Sequence, residues 1–131
     1  MKDFCDLRVW DEAHHLTLKI CSATRRFPRE ELYGPTSQIR RCTVLIGANI
    51  AEGCGKRGNN EFQRFLVIAS GSASELDHEL LLAKDLEYVD EPTYHSLYED
   101  LSRLRRMLSA LLQKVDGQRW WPSAKCPSAK C

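Results

Sequence analysis

Apolar side chains recur at three- and four-residue spacing along four stretches of the chain, which places them on one face of an α-helix. In the first stretch they form a single stripe: Leu7, Trp10, His14, Thr17, Cys21, Thr24 and Phe27. The stripe predicts a helix over residues 4–26. Pro28 would end it, because proline cannot donate the next backbone hydrogen bond.

The second stretch predicts a helix over residues 35–53, with Pro35 in its first turn. Its apolar stripe includes an amide: Ile39, Cys42, Ile46, Asn49 and Gly53. Gly53 and Gly55 are expected to be left-handed stops at its end.

The third and fourth stretches predict helices over residues 59–87 and 91–115. Asn59 and Asn60 offer an N-cap for the third helix. Its heptad stripe contains Phe62, Leu66, Ala69, Ala73, Leu76, Leu80 and Ala83. The stripe of the fourth contains Tyr94, Leu97, Leu101, Leu104, Leu108, Leu111 and Val115.

Four helices with short connections and no strand pattern predict an all-α fold, an antiparallel up-down four-helix bundle over residues 1–115. Residues 116–131 are predicted to be a flexible tail, with Trp120-Trp121 followed by two copies of Pro-Ser-Ala-Lys-Cys. Cys126 and Cys131 end the copies and could bind metal or cross-link chains. A duplication without function is the favoured interpretation.

A chain of 131 residues predicts one domain with one core. No stretch approaches the length of apolar sequence that spans a bilayer, so the protein is expected to be cytoplasmic and to have no membrane partner. The net charge is +1, but acids dominate residues 75–100 and bases dominate residues 103–130. We interpret this asymmetry as solvated faces, with pairing between acidic and basic surfaces of subunits as the alternative.

The inventory of a di-iron site is present as Glu12-x-x-His15, Glu75-x-x-His78, Glu52 and Glu99. The predicted stripes turn most of these side chains away from the core, so the chain is predicted to be neither an enzyme nor a holder of metals or cofactors. His14, on the stripe of the first helix, is expected to be a buried or boundary histidine.

The end of the second helix carries a polar motif, Asn49, Glu52 and Gly53, to which we assign a structural role with a definite partner for the buried amide. Arg64 or a serine of the third helix could supply that partner. Around the motif, five cations are predicted to form a basic patch that binds nucleic-acid phosphates: Arg40, Arg41, Lys56, Arg57 and Arg64.

Seven motifs together resemble a bacterial four-helix bundle family, first found as proteins encoded in intervening sequences of 23S ribosomal RNA genes. They are Leu7-x-Val-Trp-x-x-Ala13, Phe27-Pro-x-Glu30, Glu31-x-Tyr-Gly34, Ser37-Gln-Ile-Arg-Arg41, Asn49-Ile-Ala-Glu-Gly53, Glu61-Phe-x-Arg-Phe-Leu66 and Ala69-x-Gly-Ser-x-x-Glu75-Leu76. The resemblance implies a left-handed up-down bundle that assembles as a ring-like homopentamer. More distantly, the chain is similar to pentameric accessory proteins of diversity-generating retroelements, which bind nucleic acid and a reverse transcriptase.

These observations predict a non-enzymatic oligomer that binds structured RNA or another nucleic acid through the basic patch. The main alternative is an adaptor or assembly scaffold whose partner is an unidentified protein. A metal enzyme is a weaker third interpretation.

Overall fold

The computed structural model describes residues 4–117, which form four helices and contain no strand. A short 3-10 turn, Phe4–Asp6, precedes helix α1, Arg8–Thr24. Helix α2 is Ser37–Cys54, α3 is Asn59–Asp85 and α4 is Glu91–Gly117. The tryptophan pair and the cysteines of the predicted tail lie outside the described residues. None of the described helices is long and apolar enough to cross a membrane.

The helices pack as a four-helix bundle in which α1 neighbours α2 and α4, and α3 neighbours the same two helices. Along each contact the residue numbers of one helix rise as those of its neighbour fall, so all neighbours are antiparallel. The contacts that show this are Trp10 with Gly47, Thr24 with Arg40, Gly53 with Phe65, Cys42 with Glu75, Lys84 with Tyr94, Asp77 with Arg105, Glu12 with Arg103, and Lys19 with Asp100.

The core is aliphatic and is supplied by all four helices. Its fully buried side chains include Leu16, Ile20, Ile46, Ile50, Leu66, Leu76, Leu101, Leu104 and Leu108. Each such side chain contributes about 1.5–3 kcal/mol through removal of apolar surface from water. The stripes predicted for the third and fourth helices are confirmed as buried, apart from the half-buried Leu111.

The stripe predicted for the first helix is buried at Leu7, Thr24 and Phe27 but is wrong in phase between them. The buried residues of α1 are Val9, Ala13, Leu16, Ile20 and Thr24. Trp10 and Thr17 are half-buried along the contact with α2, Cys21 is half-buried, and His14 is exposed. Both runs have helical spacing, and the aliphatic run occupies the core because it buries more purely apolar surface.

Glycines shape the turn between α2 and α3 differently from the prediction. Gly55 has a right-handed conformation, with φ −84°. Gly58 takes the left-handed role, with φ +85°, and it occupies the N-cap position of α3 that was predicted for an asparagine. Gly53 is helical and buried, and an added Cβ there would lie 2.7 Å from the Cβ of Phe65. Gly53 therefore permits the close approach of α2 to α3.

Replacing Gly53 with alanine should destabilise the protein by about 1–3 kcal/mol, because the new methyl group must displace the rigid start of a neighbouring side chain. The matched control is Gly71→Ala on α3, where a Cβ would meet nothing within 4 Å. That change should raise stability by up to about 1 kcal/mol through helix propensity. Urea unfolding checks both, and equal stabilities for the two variants would contradict the close-approach role of Gly53.

Candidate nucleic-acid interface

Cations on the two faces where α4 meets its neighbours are held by carboxylates of the same chain. Within residues 4–117, the ion pairs that join two helices are Lys19–Asp100 at 2.5 Å, Arg103–Glu12 at 3.3 Å and Arg105–Asp77 at 2.8 Å. Arg103 also reaches Asp100 at 3.0 Å. These cations are engaged in the fold, which makes them poor candidates for binding an external anion.

Asp100 is the centre of the α1–α4 network. Its partial burial favours the neutral acid, but hydrogen bonds and charge interactions with Lys19 and Arg103 outweigh that effect and lower the pKa of Asp100 below its ordinary value. The carboxylate of Asp100 is therefore ionised at neutral pH and stabilises the α1–α4 contact.

The cations of α2, unlike those at the α4 contacts, are not paired with carboxylates within residues 4–117. Arg40 is half-buried, and its Nε donates to Thr24 Oγ1 at 2.9 Å. Arg41 is exposed. Neither has an ion pair with any carboxylate in the described part of the chain.

The predicted cations near the turn between α2 and α3 include one exposed arginine, Arg57, that has no ion pair to residues 4–117. Lys56 Nζ lies 4.0 Å from Glu52, and Arg64 lies 3.2 Å from Glu61. The Arg64 guanidinium also covers the ring of Phe65, with 4.6 Å to the centroid. We call Lys56, Arg57 and Arg64 the turn cations.

The five predicted cations do not form a single patch. Arg40 lies near the start of α2 and Lys56 just beyond its end, a separation of about 24 Å at 1.5 Å per residue. Arg40 and Arg41 therefore lie towards one end of the bundle, and the turn cations lie at the other. The sequence prediction grouped them because the separation along a helix was not taken into account.

Further arginines, missed in the sequence analysis, lie at the same end as Arg40. Arg25 directly follows Thr24, which accepts the hydrogen bond from Arg40, and Arg29 begins the next short turn. Both are exposed and neither has an ion pair among the described residues. The cluster Arg25-Arg26-x-x-Arg29 was the signal in the sequence. Arg25, Arg40 and Arg41 are referred to below as the arginine group.

The polar motif has local partners. Asn49 is half-buried beside the apolar face, and its Nδ2 donates to the carbonyl of Leu45 at 2.8 Å, one turn earlier in the same helix. The expected partners Arg64 and the serines of α3 are not used by this hydrogen bond. Glu52 is exposed, and Gly53 makes the contact with Phe65 described above.

The residues considered for catalysis are dispersed. Glu12 pairs with Arg103, while His15, Glu52, Glu75, His78 and Glu99 are exposed. No group of three potential metal ligands occurs in the part of the chain that the structure describes. Burial, reinforced by the charge of Glu75 and a hydrogen bond to it, raises the pKa of Cys42 to about 12. That thiol is therefore not a nucleophile at neutral pH.

Residues 5–110 match the model of a family described as 23S rRNA-intervening sequence protein. The chain belongs to this family. A solved structure of a protein with unknown function from the S23 ribosomal protein family of Bacteroides thetaiotaomicron is 26% identical. The match covers 79% of this chain and 97% of that chain, with a TM-score of 0.74. No curated protein matches the chain significantly.

The network at Asp100 predicts a measurable dependence of stability on pH. Since its pKa is lower in the folded state, its contribution is present above the unfolded value of about 3.9 and is lost as pH falls through the folded value. Asp100→Asn should cost about 1 kcal/mol at pH 7 and flatten the loss of stability on acidification. Urea unfolding between pH 2 and 7 checks this. Glu99→Gln is the control, because Glu99 is exposed and has no ion pair within residues 4–117. Identical pH profiles for the two variants would contradict the prediction.

Proposed function

We propose that this member of the family is a non-enzymatic homo-oligomer that binds structured RNA through the arginine group and the turn cations. The observation that carries the proposal is that some surface cations form ion pairs with carboxylates of the chain and others do not. Those at the α4 contacts are neutralised by the fold, whereas Arg25, Arg41 and Arg57 are exposed and have no ion pair within residues 4–117.

Unpaired surface cations favour phosphate binding for two reasons. They release the counterions condensed on a nucleic acid, and they break no intramolecular ion pair when they do so. Because the two cation clusters are about 24 Å apart, they would contact separate phosphates on a folded RNA rather than one phosphate. Recognition would then follow the shape of the RNA more than its base sequence.

Self-association is the second part of the proposal, as a left-handed bundle in a ring-like homopentamer. It is supported by large aliphatic side chains that remain exposed on α3: Val67, Ile68, Leu81 and Leu82. A soluble monomer rarely leaves so many exposed on one helix. A ring would also repeat each weak cation cluster, and linked sites gain effective concentration.

The same exposed aliphatics favour a second candidate, a protein adaptor or assembly scaffold without nucleic-acid binding. On that alternative the exposed aliphatic side chains of α3 receive a different protein, and the arginines lie at the rim of the interface. The two candidates differ in their response to salt, because phosphate contacts weaken steeply with salt and apolar contacts do not.

The double variant Arg41→Ala/Arg57→Ala tests RNA binding. Both guanidinium groups are exposed, so the fold should be unaffected. We expect affinity for a labelled ribosomal RNA hairpin to fall about tenfold or more near 0.1 M salt. The slope of log affinity against log salt concentration should become shallower by the equivalent of about two phosphate contacts. Fluorescence anisotropy across a salt series measures both quantities.

The control is Arg106→Ala/Lys114→Ala, which removes the same charge from exposed positions of α4. It should leave binding nearly unchanged. Equal losses of affinity for both variants would show that only the net charge matters, and would contradict binding at Arg41 and Arg57. If the intact oligomer does not bind the hairpin even at low salt, the adaptor is the better account. Light scattering in the same buffers measures the oligomer mass, which the proposal expects to be unchanged.

A further inference from the structure

Aromatic side chains meet on the surface where α1 contacts α2. The rings of Trp10 and His14 are nearly parallel, with an interplanar angle of 13° and centroids 4.8 Å apart. Phe4 packs edge-on against Trp10 at 4.9 Å. Trp10 is half-buried but His14 is exposed, so the outer member of the stack is accessible.

The α2 backbone supports this stack from within. A Cβ added to Gly47 would lie 3.7 Å from Trp10 Nε1, so the indole lies directly against the helix. One turn further along, the Thr17 hydroxyl contacts the Thr43 hydroxyl at 3.1 Å and fixes the two helices beside the rings. The indole is therefore held in place before any ligand arrives.

The surroundings of the stack are apolar at one side and cationic further along. Leu18 on α1 and Val44 on α2 are 55% and 52% exposed. Arg25 lies eleven residues after His14, a distance of about 16 Å along a helix. The His15 ring lies edge-on to His14, with centroids 6.3 Å apart, and the nearest acid on α1, Asp11, is 3.6 Å from His15 Nδ1.

We propose that an unpaired nucleobase of a bound RNA stacks on the exposed His14 ring and continues the Trp10–His14 stack. The phosphates of the RNA backbone beside that base then run towards the arginine group. Aromatic and imidazole rings bind unpaired bases through their faces, and cations beside them follow the backbone. The aliphatic surfaces of Leu18 and Val44 suit the flat face of a base and the ribose. This inference rests on the proposed RNA binding and adds to it a preference for unpaired segments.

The test uses the full chain with Trp120→Phe/Trp121→Phe, which leaves Trp10 as the fluorophore. Two probes are compared: a single-stranded uridine oligonucleotide, and inorganic polyphosphate, which has charge but no bases. The oligonucleotide should quench Trp10 fluorescence and polyphosphate should not. Adding His14→Ala should weaken oligonucleotide binding by about fivefold or more, the usual effect of losing one stacking ring, and leave polyphosphate binding unchanged.

His78→Ala is the matched control, because it removes an exposed histidine from the outer face of α3 and should change neither affinity. Equal weakening of both probes by His14→Ala, or a Trp10 signal that is unchanged at saturating oligonucleotide, would overturn the stacking site while leaving phosphate binding intact. If neither probe binds, the proposed RNA binding fails and the stacking site fails with it. A smaller oligomer mass for His14→Ala would also overturn the inference, since it would place the ring in a subunit interface.

Discussion

The close approach of α2 to α3 at Gly53 is the contact on which the arrangement of the surface depends. A side chain at this position would collide with Phe65, so only a glycine lets the two helices meet where the chain turns between them. The close contact permits a turn of four residues, with Gly58 in a left-handed conformation. The short turn makes α3 run back along α2 and places Lys56 and Arg57 at the tip, while Arg64 lies over the ring of its α3 neighbour Phe65. Local backbone geometry therefore determines where these cations lie.

The second determinant is the distribution of carboxylates. α4 brings Asp100 to Lys19 and places Arg103 and Arg105 opposite acids of α1 and α3. The cations at its contacts with these helices are therefore neutralised by ion pairs. The arginines of α2 are not neutralised in this way within residues 4–117. Arg40 donates to a threonine hydroxyl, and Arg41 has no carboxylate partner there. A formal net charge of +1 hides this difference between the cations at the α4 contacts and those at the α1–α2 contact. The Trp10–His14 stack lies at the same α1–α2 contact, about 16 Å along α1 from Arg25.

The sequence predicted the four helices and the buried faces of α3 and α4, because each of those faces is a single heptad run of leucine, alanine and other apolar residues. It failed in the middle of α1, where two runs of equal spacing lie one residue apart and only packing against α2 and α4 decides between Leu16 and Thr17. The candidate cations could be named from the sequence, but their pairing could not. Whether Arg105 or Arg41 has a carboxylate opposite depends on the register of one helix against another. Arg25 was missed because its proximity to Arg40 arises only when α1 and α2 pack antiparallel.

The central claim is that RNA binds the unneutralised α1–α2 side of the bundle. The most direct measurement is ultraviolet cross-linking of the intact protein to a ribosomal RNA hairpin, followed by mass-spectrometric identification of the modified peptides. The account predicts cross-links within residues 8–26 and 37–57, including the aromatic positions of α1, and their loss at high salt. Cross-links confined to α4, where the fold already neutralises the cations that face its neighbours, would contradict it.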